Sequence, residues 1–191
     1  MDRQGMHQDL EKVLISQEEI NQAVVRMGRQ ITRDYAGKRP VFVCILKGAV
    51  MFFTDLLRQI NLPLTTDFMA ISSYGSSTKT SGVVRILKDL DHDVLGKDVL
   101  VVEDIVDSGL TLAYIKKVLD ERGARTVRLV TLLDKPQRRR VELKVDYACF
   151  EIPNEFVVGY GLDYQEEYRN LPYVGVLHPR FYEDEEAAGT L

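Results

Sequence analysis

Residues 98–133 read DVLVVEDIVDSGLTLAYIKKVLDERGARTVRLVTLL, and the order of patterns within them decides the fold. DVLVVED is a short β-branched run, the mark of a strand buried on both faces. LTLAYIKKVLDERG then carries its apolar residues at helical spacing and stops at Gly123. TVRLVTLL returns to a buried strand. A strand, a helix and a strand in that order imply two parallel strands, because the helix carries the chain back to the end of the sheet where it began.

The same alternation extends toward the N-terminus. From Ser16, SQEEINQAVVRMGRQITRDYAG is an amphipathic helix with a Ser16/Glu19 capping box, apolar Ile20, Val24, Met27 and Ile31 on one face, and Gly37 as its stop. PVFVCIL follows as a strand and AVMFFTDLLRQI as a helix, while LTTDFMAISSYG and VVRILK are strand-like. The expectation is an α/β fold, a mostly parallel twisted sheet flanked by helices. Past Leu133 the pieces shorten to VDYACFEIP, FVVGYGLDY and YVGVLHP, which read as a small cap over one edge of the sheet. All 191 residues are expected in one domain, with a core over about 15–135 and a cap, or hood, over about 136–191, to which the N-terminus is a further candidate contributor. Gly75–Gly82 has almost nothing to bury and is expected to be mobile, and the acidic tail to fray.

Composition narrows the classes of function. Hydrophobic residues at 45% and charged residues at 28% exclude disordered, collagen-like and coiled-coil chains. The longest apolar stretch, Val41 to Phe53, is interrupted by Lys47 and Gly48 and is too short to span a membrane, so no membrane partner is expected. MDRQGMHQDLEK at the start lacks a targeting pattern, which points to the cytoplasm. A net charge of −4 has the wrong sign for a dedicated nucleic-acid binder. Cys44 and Cys149 sit in apolar runs as structural thiols, and His7, His92 and His178 have no partner at zinc-ligand spacing.

Chemistry concentrates in EDIVDSGLT, residues 103–111. A buried strand runs into two carboxylates and then into Asp107-Ser108-Gly109-Leu110-Thr111, which opens a helix. The unpaired N–H groups of that first turn, with the hydroxyls of Ser108 and Thr111, make an anion site suited to phosphate. The string matches neither GxxxxGK[ST] nor GxGxxG, so triphosphate hydrolysis and hydride transfer lose their usual markers. Glu103 and Asp104 repel a phosphate unless they bind hydroxyls or act through a metal, and a sugar phosphate with Mg²⁺ supplies both. Side chains alternate along an ideal strand, so the two converge on one ribose only if the strand has ended by Glu103.

The hydrophobic run, ED, two apolar residues and D[ST]GxT together resemble the phosphoribosyl-pyrophosphate motif of type I phosphoribosyltransferases. Leu46-Lys47-Gly48, Ser72-Ser73-Tyr74-Gly75, Leu133-Asp134-Lys135 and FEIPNEFVVGYGLDYQEEYRNLPYVG resemble the hypoxanthine-guanine branch of that family, in the same order and at similar spacing across residues 40–178. The resemblance implies purine salvage: transfer of 5-phosphoribosyl from its 1-pyrophosphate to N9 of hypoxanthine or guanine, with inversion at C1′. The products are IMP or GMP and pyrophosphate, the metal is Mg²⁺, and the assembly is a homodimer or homotetramer acting on small molecules.

Carried over residue by residue, the resemblance gives Asp107, Ser108, Gly109, Leu110 and Thr111 the 5′-phosphate, Leu110 through its backbone N–H. Glu103 and Asp104 take the ribose hydroxyls and Mg²⁺, and Asp107 also manages the proton of the purine N7. Lys47 and Gly48 bind pyrophosphate at a Leu46–Lys47 peptide that adopts the cis form in the family, and Arg169 grips the same leaving group. Lys135 donates to the 6-oxo group, which selects against adenine because an ammonium has donors and no acceptor. Phe156 stacks on the purine, the backbone of Val157 meets the base edge, and Asp163 neighbours the purine 2-position and binds a second Mg²⁺. Ser73 and Tyr74, at the base of Gly75–Gly82, match a closing lid that keeps water from an oxocarbenium-like centre. Two rivals stay open here: a xanthine-preferring relative, and a nucleic-acid-binding regulator on the same fold with Arg138, Arg139 and Arg140 as its contact patch.

Overall fold

The computed structural model describes residues 3–73 and 84–182. In chain order they form α1 (Arg3–Gln8), β1 (Leu10–Ile15), α2 (Gln17–Asp34), β2 (Val41–Leu46), α3 (Val50–Leu57), β3 (Thr65–Ser73), β4 (Val84–Lys88), β5 (Asp98–Val106), α4 (Leu110–Glu121), β6 (Thr126–Asp134), β7 (Tyr147–Glu151), β8 (Val157–Val158) and β9 (Val174–Leu177). Single 3-10 turns lie at Pro136–Arg138 and Pro179–Phe181. Tyr74, Gly75–Gly82 and the acidic tail, residues 183–191, fall outside the described residues.

The main sheet has the order β4-β3-β2-β5-β6-β7, parallel except between β3 and β4. Its three central strands are continuous apolar runs because helices cover both faces. Phe42, Cys44, Leu100, Val102, Val130 and Leu132 meet Ile20, Val24, Met27 and Ile31 of α2 and Phe52, Phe53 and Leu56 of α3. The alternate residues Val41, Val43, Val99, Val101 and Leu129 meet Leu112, Ile115 and Leu119 of α4. The Ser16/Glu19 capping box starts α2 as expected, but the helix ends at Asp34, and Gly37, at φ +77°, belongs to the turn beyond it.

A second sheet, of order β1-β9-β8 and all antiparallel, packs with a cluster of Met6, Val158, Tyr168, Leu171 and Leu177. The N-terminal strand β1 is one of its edges. Tyr147–Glu151 differs from the expectation that placed it in the cap: it pairs in parallel with β6 as the last strand of the main sheet, with Tyr147 buried opposite Val130. Neither Cys44 nor Cys149 is in a disulfide, and burial pushes both thiols up to about 12. Among the described residues no helix is long and apolar enough to cross a membrane.

β2 and β5 are neighbours, yet the chain leaves β2 toward β3 on one side and β5 toward β6 on the other. Their carboxyl ends diverge into a crevice, the place where open α/β sheets bind ligands.

Candidate active site

The end of β5 and the start of α4 form one wall of that crevice. Gly109 caps α4 in the left-handed conformation, φ +80°, which a residue with a Cβ adopts only at a cost. Leu110 N donates to Ser108 Oγ at 3.5 Å, and the helix geometry leaves the other first-turn N–H groups without intrahelical partners. In front of them lies a cavity of about 150 Å³ lined by Glu103, Ile105, Asp107, Ser108, Gly109 and Thr111 among others. An anion entering it meets N–H dipoles and the positive end of α4.

Arginines brace this loop from behind. Arg138 Nε donates to Asp107 Oδ1 at 2.9 Å, and Arg139 Nη1 donates to the carbonyls of Asp107 at 2.7 Å and Val106 at 3.2 Å. Arg139 Nη2 pairs with Asp134, and Arg140 N donates to Ser108 O at 3.0 Å. The patch offered for the nucleic-acid-binding rival is engaged within the chain: Arg138 and Arg139 are partners of the loop that opens α4.

Glu103 and Asp104 come together in a way the sequence reading did not foresee. β5 does not end by Glu103, for its pairing with β6 runs on to Val106 opposite Asp134. Its pairing with β2 stops at Val102, so beyond that point the strand is held on one side only. Glu103 lines the cavity in front of α4, while Asp104 is buried beside Gly48, where an added Cβ would stand 1.7 Å from Asp104 Oδ2. Burial, the negative charge of Asp104 and a hydrogen bond to it push Glu103 well above the carboxylate range, and burial also raises Asp104.

These acids fit a hard cation. Glu103 Oε2 is buried with no hydrogen-bond partner, so the pair is short of positive charge. Mg²⁺ is usually bound through one or two carboxylates, with waters and substrate oxygens completing its shell, and Glu103 and Asp104 are two such carboxylates side by side.

The opposite wall begins at the Leu46–Lys47 peptide, which is cis. Lys47 Nζ pairs with Glu166 Oε2 at 2.9 Å. Arg169 Nη1 donates to Gly161 O at 2.8 Å, its Nη2 pairs with Asp163 Oδ1 at 2.8 Å, and Gly161 lies against the carbonyl of Gly48. Tyr160, Gln165, Glu166 and Tyr168 all have positive φ, so the loop between β8 and β9 turns tightly.

Lys135 follows β6 and is only 7% exposed; its Nζ donates to Glu155 O at 2.7 Å, and burial lowers its pKa. Phe156 is 38% exposed, stacked on Tyr182 at 4.8 Å and 22° and edge-on to Tyr164 at 5.7 Å. Val157 is buried in β8 opposite Val176. Ser73 ends β3 opposite Val84, and Tyr74 with the rest of the expected lid is outside the described residues.

With this geometry in place, comparison with known proteins decides the family. The family model for the phosphoribosyl transferase domain matches residues 15–165. The chain is 52% identical over 178 residues to the hypoxanthine-guanine phosphoribosyltransferase of Bacillus subtilis, covering 93% of this chain and 99% of that one. The chain belongs to the hypoxanthine-guanine phosphoribosyltransferase family. A crystal structure of a hypoxanthine phosphoribosyltransferase from Staphylococcus aureus superposes with a TM-score of 0.91 at 47% identity, covering 95% of this chain and 99% of that one. The bifunctional protein TilS/HprT of Listeria monocytogenes is 53% identical over 181 residues, 95% of this chain, which spans 28% of its length.

In this phosphoribosyltransferase the sequence reading overlooked Glu166, Tyr182 and the bracing role of Arg138 and Arg139. The arginines did stand out as a basic run, but their targets, Asp107 and Asp134, are visible only once β5 and β6 are side by side.

Proposed function

We propose that the crevice transfers 5-phosphoribosyl from its 1-pyrophosphate to N9 of hypoxanthine or guanine. The observation that carries this reading is the joining of an anion cavity at the N-terminus of α4 to the buried Glu103/Asp104 pair. Phosphate and pentose diol are thereby served by adjacent groups on one strand end.

In this reading Asp107, Ser108, Gly109, Leu110 and Thr111 hold the 5′-phosphate. Glu103 and Asp104 orient the ribose hydroxyls and hold Mg²⁺, with Asp163 as ligand of a second ion. Mg²⁺ supplies charge neutralisation of the donor's pyrophosphate. Lys47, the Gly48 backbone and Arg169 take the pyrophosphate as the C1′–O bond breaks and N9 attacks from the opposite face. Asp107 holds the proton associated with N7. Phe156 covers the purine, Val157 presents backbone to its edge, and Lys135 exchanges Glu155 O for the 6-oxo group. A closing segment at Ser73 and Tyr74 excludes water from the cationic centre. The same reading has the chain work as one domain in the cytoplasm, as a homodimer or homotetramer, with the small sheet as its hood.

A pyrophosphate-release assay with donor, Mg²⁺ and each of four purines tests it. Release with hypoxanthine and guanine is expected; release with adenine alone would contradict the role given to Lys135.

A further inference from the structure

The pyrophosphate side of the crevice carries one more carboxylate than the roles above use. Glu166 Oε2 lies 2.9 Å from Lys47 Nζ and 3.4 Å from Arg169 Nη2. Those are the two cations assigned to pyrophosphate, so one carboxylate oxygen bridges them as a phosphoryl oxygen would. The backbone sets this posture: Glu166 has φ +66° and its N donates to Asp163 Oδ2 at 2.9 Å. Arg169 Nε is buried with no hydrogen-bond partner, so the guanidinium is not fully matched by the groups around it.

We propose that Glu166 is an internal counter-anion: it closes Lys47 and Arg169 while pyrophosphate is absent, yields them when the donor binds and reclaims them as pyrophosphate departs. The inference rests on the phosphoribosyl-transfer reading of this site. Two cations facing one crevice repel each other, and a tethered carboxylate relieves that repulsion without blocking exchange. The Lys47 and Glu166 side chains are 68% and 65% exposed, so their bond is weak and a more highly charged anion displaces it. The consequence is a lower affinity for pyrophosphate than the two cations alone would give, and faster departure of that product.

Calorimetric titration of the enzyme with pyrophosphate and Mg²⁺ tests this. Glu166→Gln is expected to tighten pyrophosphate binding by about 3- to 10-fold at low salt, the size of one exposed and one half-buried ion pair removed from competition. The gain shrinks as KCl is raised from about 0.05 to about 0.5 M. Glu166→Asp, which keeps the charge but withdraws it by one methylene, is expected to show a smaller gain. Unchanged or weaker pyrophosphate binding in both variants, with IMP affinity as in the parent protein, would overturn the proposal. A parent protein that neither binds pyrophosphate nor forms nucleotide would instead reject the reading beneath it.

Discussion

Arg138 holds Asp107 from outside the cavity at the start of α4, with Nε 2.9 Å from Asp107 Oδ1. The residue given the N7 proton is therefore oriented by the 3-10 turn that follows β6, while Arg139 fixes the carbonyl of the same residue. In the proposed function, phosphate binding by the loop would use backbone N–H groups, whereas proton handling would need the Asp107 carboxyl itself, so the two functions are separable.

Asp107→Asn keeps the shape of the side chain and an acceptor for Arg138 but cannot carry the proton. Turnover is expected to fall by about 10² to 10⁴, with IMP affinity changed by less than about 3-fold. Single-turnover kinetics beside equilibrium nucleotide binding make the comparison, and near-normal turnover would count against the role.

Lys135 must be charged to donate to a 6-oxo group, and burial favours its neutral form. Its proton is therefore lost at a pH below the usual lysine value of 10.5. The KM for hypoxanthine should rise on the alkaline side before an ordinary lysine would titrate. Lys135→Gln should raise that KM by about 10- to 100-fold and flatten its dependence on pH. A KM profile that is flat up to the ordinary lysine range in the parent enzyme would contradict the assignment.

Gly48 has no room for a side chain, since a Cβ there would stand 1.7 Å from Asp104 Oδ2. Asp104 is held in place, its Oδ1 accepting from Ile105 N at 2.7 Å. Gly48→Ala should cost about 1 to 3 kcal/mol of stability by overpacking and raise the KM for the donor more than that for the purine. Thermal unfolding and the two KM values together check it; equal effects on both substrates would argue against a donor-side role.

Far from the crevice, Asp98 accepts from Arg125 Nε at 3.0 Å and Thr126 Oγ1 at 2.8 Å, and the Arg125 guanidinium holds its carboxyl down at about 2. Because this folded value lies below the unfolded one, the stabilisation is full above the usual Asp value of 3.8 and fades as pH falls toward about 2. Asp98→Asn should cost about 1 to 3 kcal/mol at neutral pH. Urea midpoints at neutral and acid pH should show the gap between variant and parent closing in acid, and a constant gap would refute the account.

The central sheet was legible because β2, β5 and β6 are buried on both faces, which leaves unbroken apolar runs. The strand, turn and helix start of EDIVDSGLT were readable too, since they lie in one continuous segment, although β5 runs on to Val106 rather than ending by Glu103. β1 was not: Glu11, Lys12 and Val13 are exposed, and its partner β9 lies at the other end of the chain. The meeting of Glu103 and Asp104 turns on where β2 stops pairing, a property of the neighbouring strand. Glu166 reaches Lys47 across 119 positions, a distance no local pattern encodes.

A crystal soaked with IMP and Mg²⁺ tests the central claim most directly. The account predicts the 5′-phosphate against the first turn of α4, within hydrogen-bond reach of the N–H groups of residues 108–111, with the ribose diol toward Glu103 and Asp104. Nucleotide bound elsewhere, or that cavity unfilled with both acids turned away from the sugar, would contradict it.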